Sequence, residues 1–491
     1  MTAVEKIIPE YYRECVILAL QAVSAVRVSL HSPFESASQS INRLSKRSPV
    51  ELDGDISRCF RIKLYVNGIN LGLQVNSITS DIIIPLSSSS NDLGLAIQNT
   101  PGGQPVTIKY KGKEYNGITS TADVTIMSTE ITGVNLPVIE IEKESTDLVG
   151  IVEDFDGVLG IGYLPLSDYY PPVTAMDVLY NGGFISNNEV GLQLCPYEML
   201  QESFINIGNT EITPKCGTDG KSLIWVNSPS DEHHAVNIKS ILVNGKQVDL
   251  PEEFQQVVEN GRILYSTIHT CYMYIRFPER VVNVLINSIL DNSAITIKKT
   301  MLRDDRLDRK KIKKKLQKNR LMPKSNYNID WDKMPSLSIV MFSQNPVTDE
   351  NRNSLVTIRL GPRDYMQTYN FKNFRFTVTA GSNDHATLGI PFMTRLLLTF
   401  DRQNKRTGFG PGCGCETMAD GYPIISNGDQ VLWPLTQLIL IMNLMDTVRL
   451  PEQPSTSSLG RTSTLERSLS RLGSIRRGSK RSKVSYEKFE G

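Results

Sequence analysis

A mainly β body in two lobes is the fold class this sequence predicts. Three observations carry that expectation. Between residues 58 and 165, short apolar or alternating segments follow one another, punctuated by Gly and Asn-Gly. Such runs mark short strands closed by tight turns. The same texture returns at residues 336–342, 355–360, 374–378 and 396–400. Clear helical periodicity is confined to short stretches of the body. Many short strands with few helices pack as sheets rather than as helical layers, and 491 residues are enough for two to three domains.

Taken in order, residues 61–66, 72–75 and 81–85 read as strands. Residues 106–110 and 113–117 flank Lys111-Gly112 and read as a hairpin. Residues 173–180 form a short helix stopped by Asn181-Gly182-Gly183, where a glycine can take the left-handed conformation of a helix end. Residues 279–290 place Val282, Leu285, Ile286 and Ile289 on one helical face.

The ends differ from the body. Residues 15–25 have the length and small-residue end of a signal-peptide core. Glu5, Glu10 and Glu14 precede them where a basic segment belongs, so a buried amphipathic helix is the other reading. Lys46-Arg47 fits a propeptide cleavage site or plain solvated surface. Residues 431–445 are apolar but shorter than the roughly 20 residues that cross a bilayer. They read as a membrane anchor or as a packed C-terminal helix. The basic residues downstream, from Arg461 to Lys483, match the positive-inside pattern of a spanning segment. The expected layout is a signal and propeptide region over 1–47, an N-terminal β lobe over 48–189 and a C-terminal β lobe over 190–412. A stalk over 413–430, the apolar segment over 431–445 and a basic, Ser-rich tail over 446–491 follow.

Acids and bases nearly cancel, 52 against 53. Net charge therefore points to no partner, but its placement is uneven. Residues 298–324 are strongly basic and are expected to form a solvated loop inserted in the second lobe. No aromatic residue interleaves them, so nucleic acid is not expected as a partner. Seven cysteines are few for a secreted chain of this length, and no Asn-x-Ser/Thr sequon occurs.

Several motifs carry chemistry. Val75-Asn76-Ser77-Ile78-Thr79-Ser80-Asp81 lies between apolar runs and ends towards Pro85. Gly157-Val158-Leu159-Gly160-Ile161-Gly162 and Ala386-Thr387-Leu388-Gly389 are apolar elements closed by Gly. Phe400-Asp401-Arg402 precedes Gly408-Phe409, and Tyr110 ends the first hairpin strand. In this order the segments resemble the pepsin-like aspartic proteases. Gly191-Leu192-Gln193-Leu194-Cys195 and Ile358-Arg359-Leu360-Gly361-Pro362-Arg363-Asp364-Tyr365 resemble the beta-secretase, or memapsin, branch. The resemblance covers roughly residues 58–412 and implies a bilobal pepsin-like fold with short helices.

The resemblance also implies where the chemistry should sit. Asn76 stands at the first catalytic Asp position. His269-Thr270-Cys271-Tyr272 matches the second loop, so His269 stands at the other Asp and Cys271 at a glycine; a shifted match would use Tyr265-Ser266-Thr267. Ser77, Thr270, Tyr110 and Arg276 are the implied cleft residues, with Tyr110 in the place of the flap tyrosine. An aspartic protease needs two facing carboxylates that share one proton, one acting as acid and one as base. An Asn amide takes no proton near neutral pH, and His269 opposite it has no acidic partner. Ile78 and Cys271 add side chains where the family has glycine. A metal site is not expected, since His269 and Cys271 have no second pair of ligands, and no cofactor is implied. Among the cysteines, Cys195 matches the family's strand and could pair with Cys413 or Cys415.

The expected protein is thus an inactive beta-secretase-like homologue. It would bind a peptide or protein segment between its lobes and associate with a membrane of the secretory pathway, endosomal, Golgi or plasma. The alternatives are an active endopeptidase with Asn/His chemistry and a product with no retained function.

Overall fold

The computed structural model describes residues 50–55, 59–85, 103–110, 113–141, 157–208, 223–259, 261–298, 305–412, 415, 420–428 and 430–432. The N-terminal apolar run, the dibasic site, Cys413, residues 433–445 of the apolar segment and the basic tail lie outside the described residues.

Alternation of apolar side chains drives the strands. In Cys59–Val66 the residues Phe60, Ile62, Leu64 and Val66 are buried while Lys63 is exposed, the two-residue period of a sheet with one wet face. Asn67-Gly68 turns this strand into Ile69–Asn76, with Val66 opposite Ile69. Both turn residues have positive φ, 49° and 81°, which Asn and Gly tolerate best. The expected hairpin is present: Pro105–Tyr110 pairs with Lys113–Ile126, Tyr110 opposite Lys113.

One half of the fold repeats in the other. Ile69–Asn76 runs parallel to Gly157–Gly160, which pairs antiparallel with Ile82–Pro85. Ser266–Ile268 runs parallel to Thr387–Leu388, which pairs antiparallel with Ile275–Phe277. Each outer strand then finds a parallel neighbour, Val134–Ile141 in the first half and Val378–Ala380 in the second. In both halves a loop connects two strands while a later strand slots between them.

Strands from both halves also meet in one sheet. Val50–Asp55, Phe204–Ile207 and Glu189–Gln193 are followed there by Leu396–Asp401, Arg406–Pro411 and Ile224–Asn227. Buried Leu192, Ile205, Leu398, Phe400 and Phe409 make it part of the main core.

Three helices of seven or more residues are described. The first, α1 (Ala175–Asn181), starts at Thr174, whose hydroxyl accepts from the Asp177 N–H, and Gly183 follows its end at φ 74°. The second, α2 (Glu279–Asp291), buries Val282, Leu285, Ile286 and Ile289 as expected. The third, α3 (Asp305–Gln317), corrects the expectation of a solvated loop. Its Ile312 and Leu316 are buried in the main core, and Arg309 donates to the last carbonyls of α2 at Leu290. Ile312 and Leu316, four apart, seat a helix whose remaining residues are mostly charged, with Leu307 exposed among them.

The expected stalk is corrected as well. Ile424–Ser426 forms a strand against Leu355–Leu360, and Val431–Leu432 pairs with it in turn. Asp420 accepts from the buried Arg395 at 2.9 Å. The apolar segment therefore begins as an edge strand. Among the described residues, no helix is long and apolar enough to cross a membrane.

Candidate functional site

The two strand-connecting loops meet at Ser77 and Thr270. The Ser77 N–H donates to Thr270 Oγ1 (3.0 Å), and the Thr270 N–H donates to Ser77 Oγ (3.1 Å). Ser77 Oγ donates to the Ile268 carbonyl (2.7 Å), and Thr270 Oγ1 donates to the Val75 carbonyl (2.8 Å). All four bonds are buried. They put Thr270, not Ser266, opposite Ser77, and so favour the unshifted match of the second loop.

Asn76 and His269 therefore hold corresponding places, each one residue before the hydroxyl. Asn76 is buried and its Oδ1 accepts from the Ile78 N–H at 3.0 Å. His269 is half-buried and its Nδ1 accepts from the Cys271 N–H at 3.2 Å. That bond sets the tautomer of the neutral ring, with the proton on Nε2.

Glycines bring the slotted strands against these loops. A Cβ on Gly160 would stand 2.5 Å from the Asp81 nitrogen, and one on Gly389 would stand 2.2 Å from the Tyr274 carbonyl. The Ile161 N–H donates to the Asn76 carbonyl, and the His269 N–H to the Leu388 carbonyl, both at 2.9 Å. The conformational reason for both Gly-terminated motifs is this close approach of backbone to backbone.

Cys271 does not simply crowd the second loop, as expected from sequence. It forms a disulfide with Cys59, the first residue of Cys59–Val66, with Cα atoms 4.9 Å apart. The bridge ties the strand of one half to the loop of the other and removes a thiolate from any metal pair with His269. Of the two partners left open for Cys195, Cys415 is the one bonded.

Arg276 is exposed on Ile275–Phe277. Its guanidinium lies 5.8 Å from the Tyr272 ring centre, and Tyr272 is stacked on His269 at 5.6 Å. Burial, offset in part by Arg276, raises the Tyr272 pKa. Tyr274 meets Tyr272 edge-on, and its hydroxyl accepts from Arg375 at 2.7 Å. Sequence reasoning found Arg276 but missed this aromatic row, whose signal was Tyr272-Met273-Tyr274 itself. Tyr110 is placed only as the last residue of its strand, at the hairpin turn. Two residues before His269, Thr267 helps line a cleft of about 540 Å3 with Tyr265, His233, Glu232, Arg262 and His385.

Buried polar groups brace the loops from below. His234 is fully buried between Tyr163 and Phe400, each 4.4 Å away. Its Nε2–H donates to the Ile161 carbonyl at 2.8 Å, while its own carbonyl accepts from the Ile268 N–H. Burial lowers its pKa to about 3, so the ring is neutral. Asp81 accepts from Ser167 Oγ and the Asp168 N–H, and burial raises it to about 6. Arg402 donates to Gly162, Thr174, Asp177 and Asn188.

The sequence model of the eukaryotic aspartyl proteases matches residues 96–412, more than half of the chain. The chain belongs to this family. Its mainly β, bilobal architecture is the pepsin-like fold of the aspartyl proteases. The matched residues include the second loop, while Asn76 and its loop lie before them. No curated protein matches the chain.

Proposed function

We propose that this aspartyl protease homologue is catalytically inactive and holds a peptide or protein segment in the cleft between its lobes. The observation that carries the proposal is the pair of residues heading the two hydroxyl-linked loops, Asn76 and His269. Peptide hydrolysis by this fold needs a base to take a proton from water and an acid to protonate the oxyanion. Asn76 supplies neither. His269 uses its Nδ1 lone pair on the Cys271 N–H, and its Nε2 then carries a proton, so the neutral ring has no lone pair for a water. The nearest carboxylate in the first loop, Asp81, is turned to Ser167 and Asp168.

Binding is a separate matter from turnover. The Tyr272 ring and the Arg276 guanidinium give a peptide an apolar face and a donor fork beside the loops. We assign the chain to the beta-secretase-like branch, on the residues 191–195 and 358–365 and on the order of apolar segment and basic tail. A membrane of the secretory pathway suits the two disulfides, which form in oxidising compartments. Titration calorimetry of the full chain with a statine-type pseudopeptide tests the reading. Binding should weaken about tenfold in Arg276→Ala and Tyr272→Ala. Equal affinity in both variants and the parent would overturn the assignment of the cleft.

A further inference from the structure

The basic residues of the insert are organised by α3, and that organisation has a use. We infer that the outer face of α3 is a docking surface for a sulfated polysaccharide chain. At 100° per residue, Lys310, Lys311 and Lys314 fall within an arc of about 100° of α3, and Lys318 stands in the turn just after its last residue. All four are exposed. The inward arc holds Ile312 and Leu316, both buried, so the lysine row is fixed in place by the core. Lys310, Lys314 and Lys318 have no acidic partner among the described residues; Lys311 has only Asp308 at 4.0 Å. Arg309, on the inner side, is already engaged by Asp291 and the Leu290 carbonyl.

A straight row of ammonium groups matches a linear polyanion. Three features choose among polyanions. The row carries no aromatic residue on which a nucleic-acid base could stack. Ile312 and Leu316 face the core, and the outer face of α3 exposes one apolar residue, Leu307, among its lysines, too little apolar surface to sink a helix into a bilayer. Both disulfides point to an oxidising compartment, where sulfated sugars are met and where the anionic, cytosolic leaflet is not. Lysine suits sulfate as a point charge without demanding a fixed fork geometry.

The test uses the full chain and a heparin-derived sulfated decasaccharide, with Kd measured at low and at physiological salt. Binding should weaken as salt rises. The variant K310Q/K311Q/K314Q/K318Q should bind at least tenfold more weakly, and K314Q alone about threefold. Gln keeps the helix propensity of Lys, and an unchanged Tm checks the fold. Two charge-matched controls, K63Q/K109Q/K239Q/K246Q on the body and R476Q/R477Q/K480Q/R481Q in the tail, should each change Kd less than threefold. The desulfated sugar should not bind. Parental affinity in the helix variant would overturn the proposal, as would equal losses in either control. Binding to phosphatidylserine vesicles without binding to the decasaccharide would do the same.

Discussion

Ser77 and Thr270, 193 residues apart in sequence, exchange hydrogen bonds in both directions across the two halves of the molecule. Each hydroxyl also reaches the carbonyl two residues before its partner, so a rotation of either loop breaks two bonds at once. Because all four bonds are buried, the two loops are held in register with one another.

Replacing Thr270 by Val keeps the shape and removes the hydroxyl. The Ser77 N–H and the Val75 carbonyl then stay buried without that partner, at about 1–3 kcal/mol each. We expect Thr270→Val to destabilise the protein by about 2–4 kcal/mol in urea denaturation. Ser77→Ala should cost a similar amount. The double variant should cost clearly less than the sum, since the pair acts as one unit. Strict additivity would show that the two loops are not coupled.

The Cys59–Cys271 bridge joins the same halves covalently a residue away. Its loop closes over 212 residues, and typical bridges contribute about 2–4 kcal/mol. C59A/C271A should lose stability in that range while keeping the reciprocal hydrogen bonds. C195A/C415A, whose bridge lies elsewhere, should lose a similar amount without altering pseudopeptide binding. If only the second bridge matters for stability, the first does not constrain the unfolded chain.

The frame of this fold was legible because it rests on local rules. Alternation marked the strands, Gly marked the close approaches at 160 and 389, and the hydroxyls at 77 and 270 stood in matching motifs. What was not legible was long-range. Cys59 and Cys271 carry no local sign of their pairing, since contact between residues so distant is a product of the whole topology. The helix α3 was hidden because its lysines dominate composition, while only Ile312 and Leu316 record the buried side. His234 gave no signal, although it touches both halves. The strand Ile424–Ser426 was masked by its setting after the last family motif.

Two buried groups should give opposite pH dependence. His234 is held near 3 in the folded protein and sits near 6.5 when unfolded, so the unfolded chain binds the extra proton below pH 6.5. Its contribution is complete above that pH and falls as pH drops towards 3, by about 2 kcal/mol at pH 5. Asp81 is raised to about 6 from 3.8, so here the folded protein binds the proton first. Stability from this group rises as pH falls from 6 towards 3.8, by about 1.4 kcal/mol at pH 5. The two cancel in part there, leaving a net loss of about 0.6 kcal/mol. His234→Phe keeps a ring between Tyr163 and Phe400 and should leave a protein that gains stability on acidification from pH 7 to 5. Asp81→Asn should leave one that loses it. Urea denaturation at both pH values measures the slopes, and equal slopes in the two variants would refute the assignment.

The last prediction concerns turnover. General acid and base groups each contribute about 10²–10⁴-fold, so a pair lacking both should fall short of an active enzyme by about 10⁴-fold or more. The full chain should cleave no member of a peptide library between pH 3 and 7. Turnover abolished by a statine-type inhibitor would contradict this directly. The double variant N76D/H269D separates frame from chemistry. The Ile78 and Cys271 N–H groups already donate to the side chains at both positions, so carboxylates placed there would find ready donors. Two facing carboxylates should then share a proton and make pseudopeptide affinity rise towards acidic pH. Cleavage should still be absent if, as proposed, Ile78 and the bridged Cys271 stand at the two loop positions that glycine fills in active relatives. Efficient cleavage by the double variant would show that the two substitutions alone account for the lost chemistry.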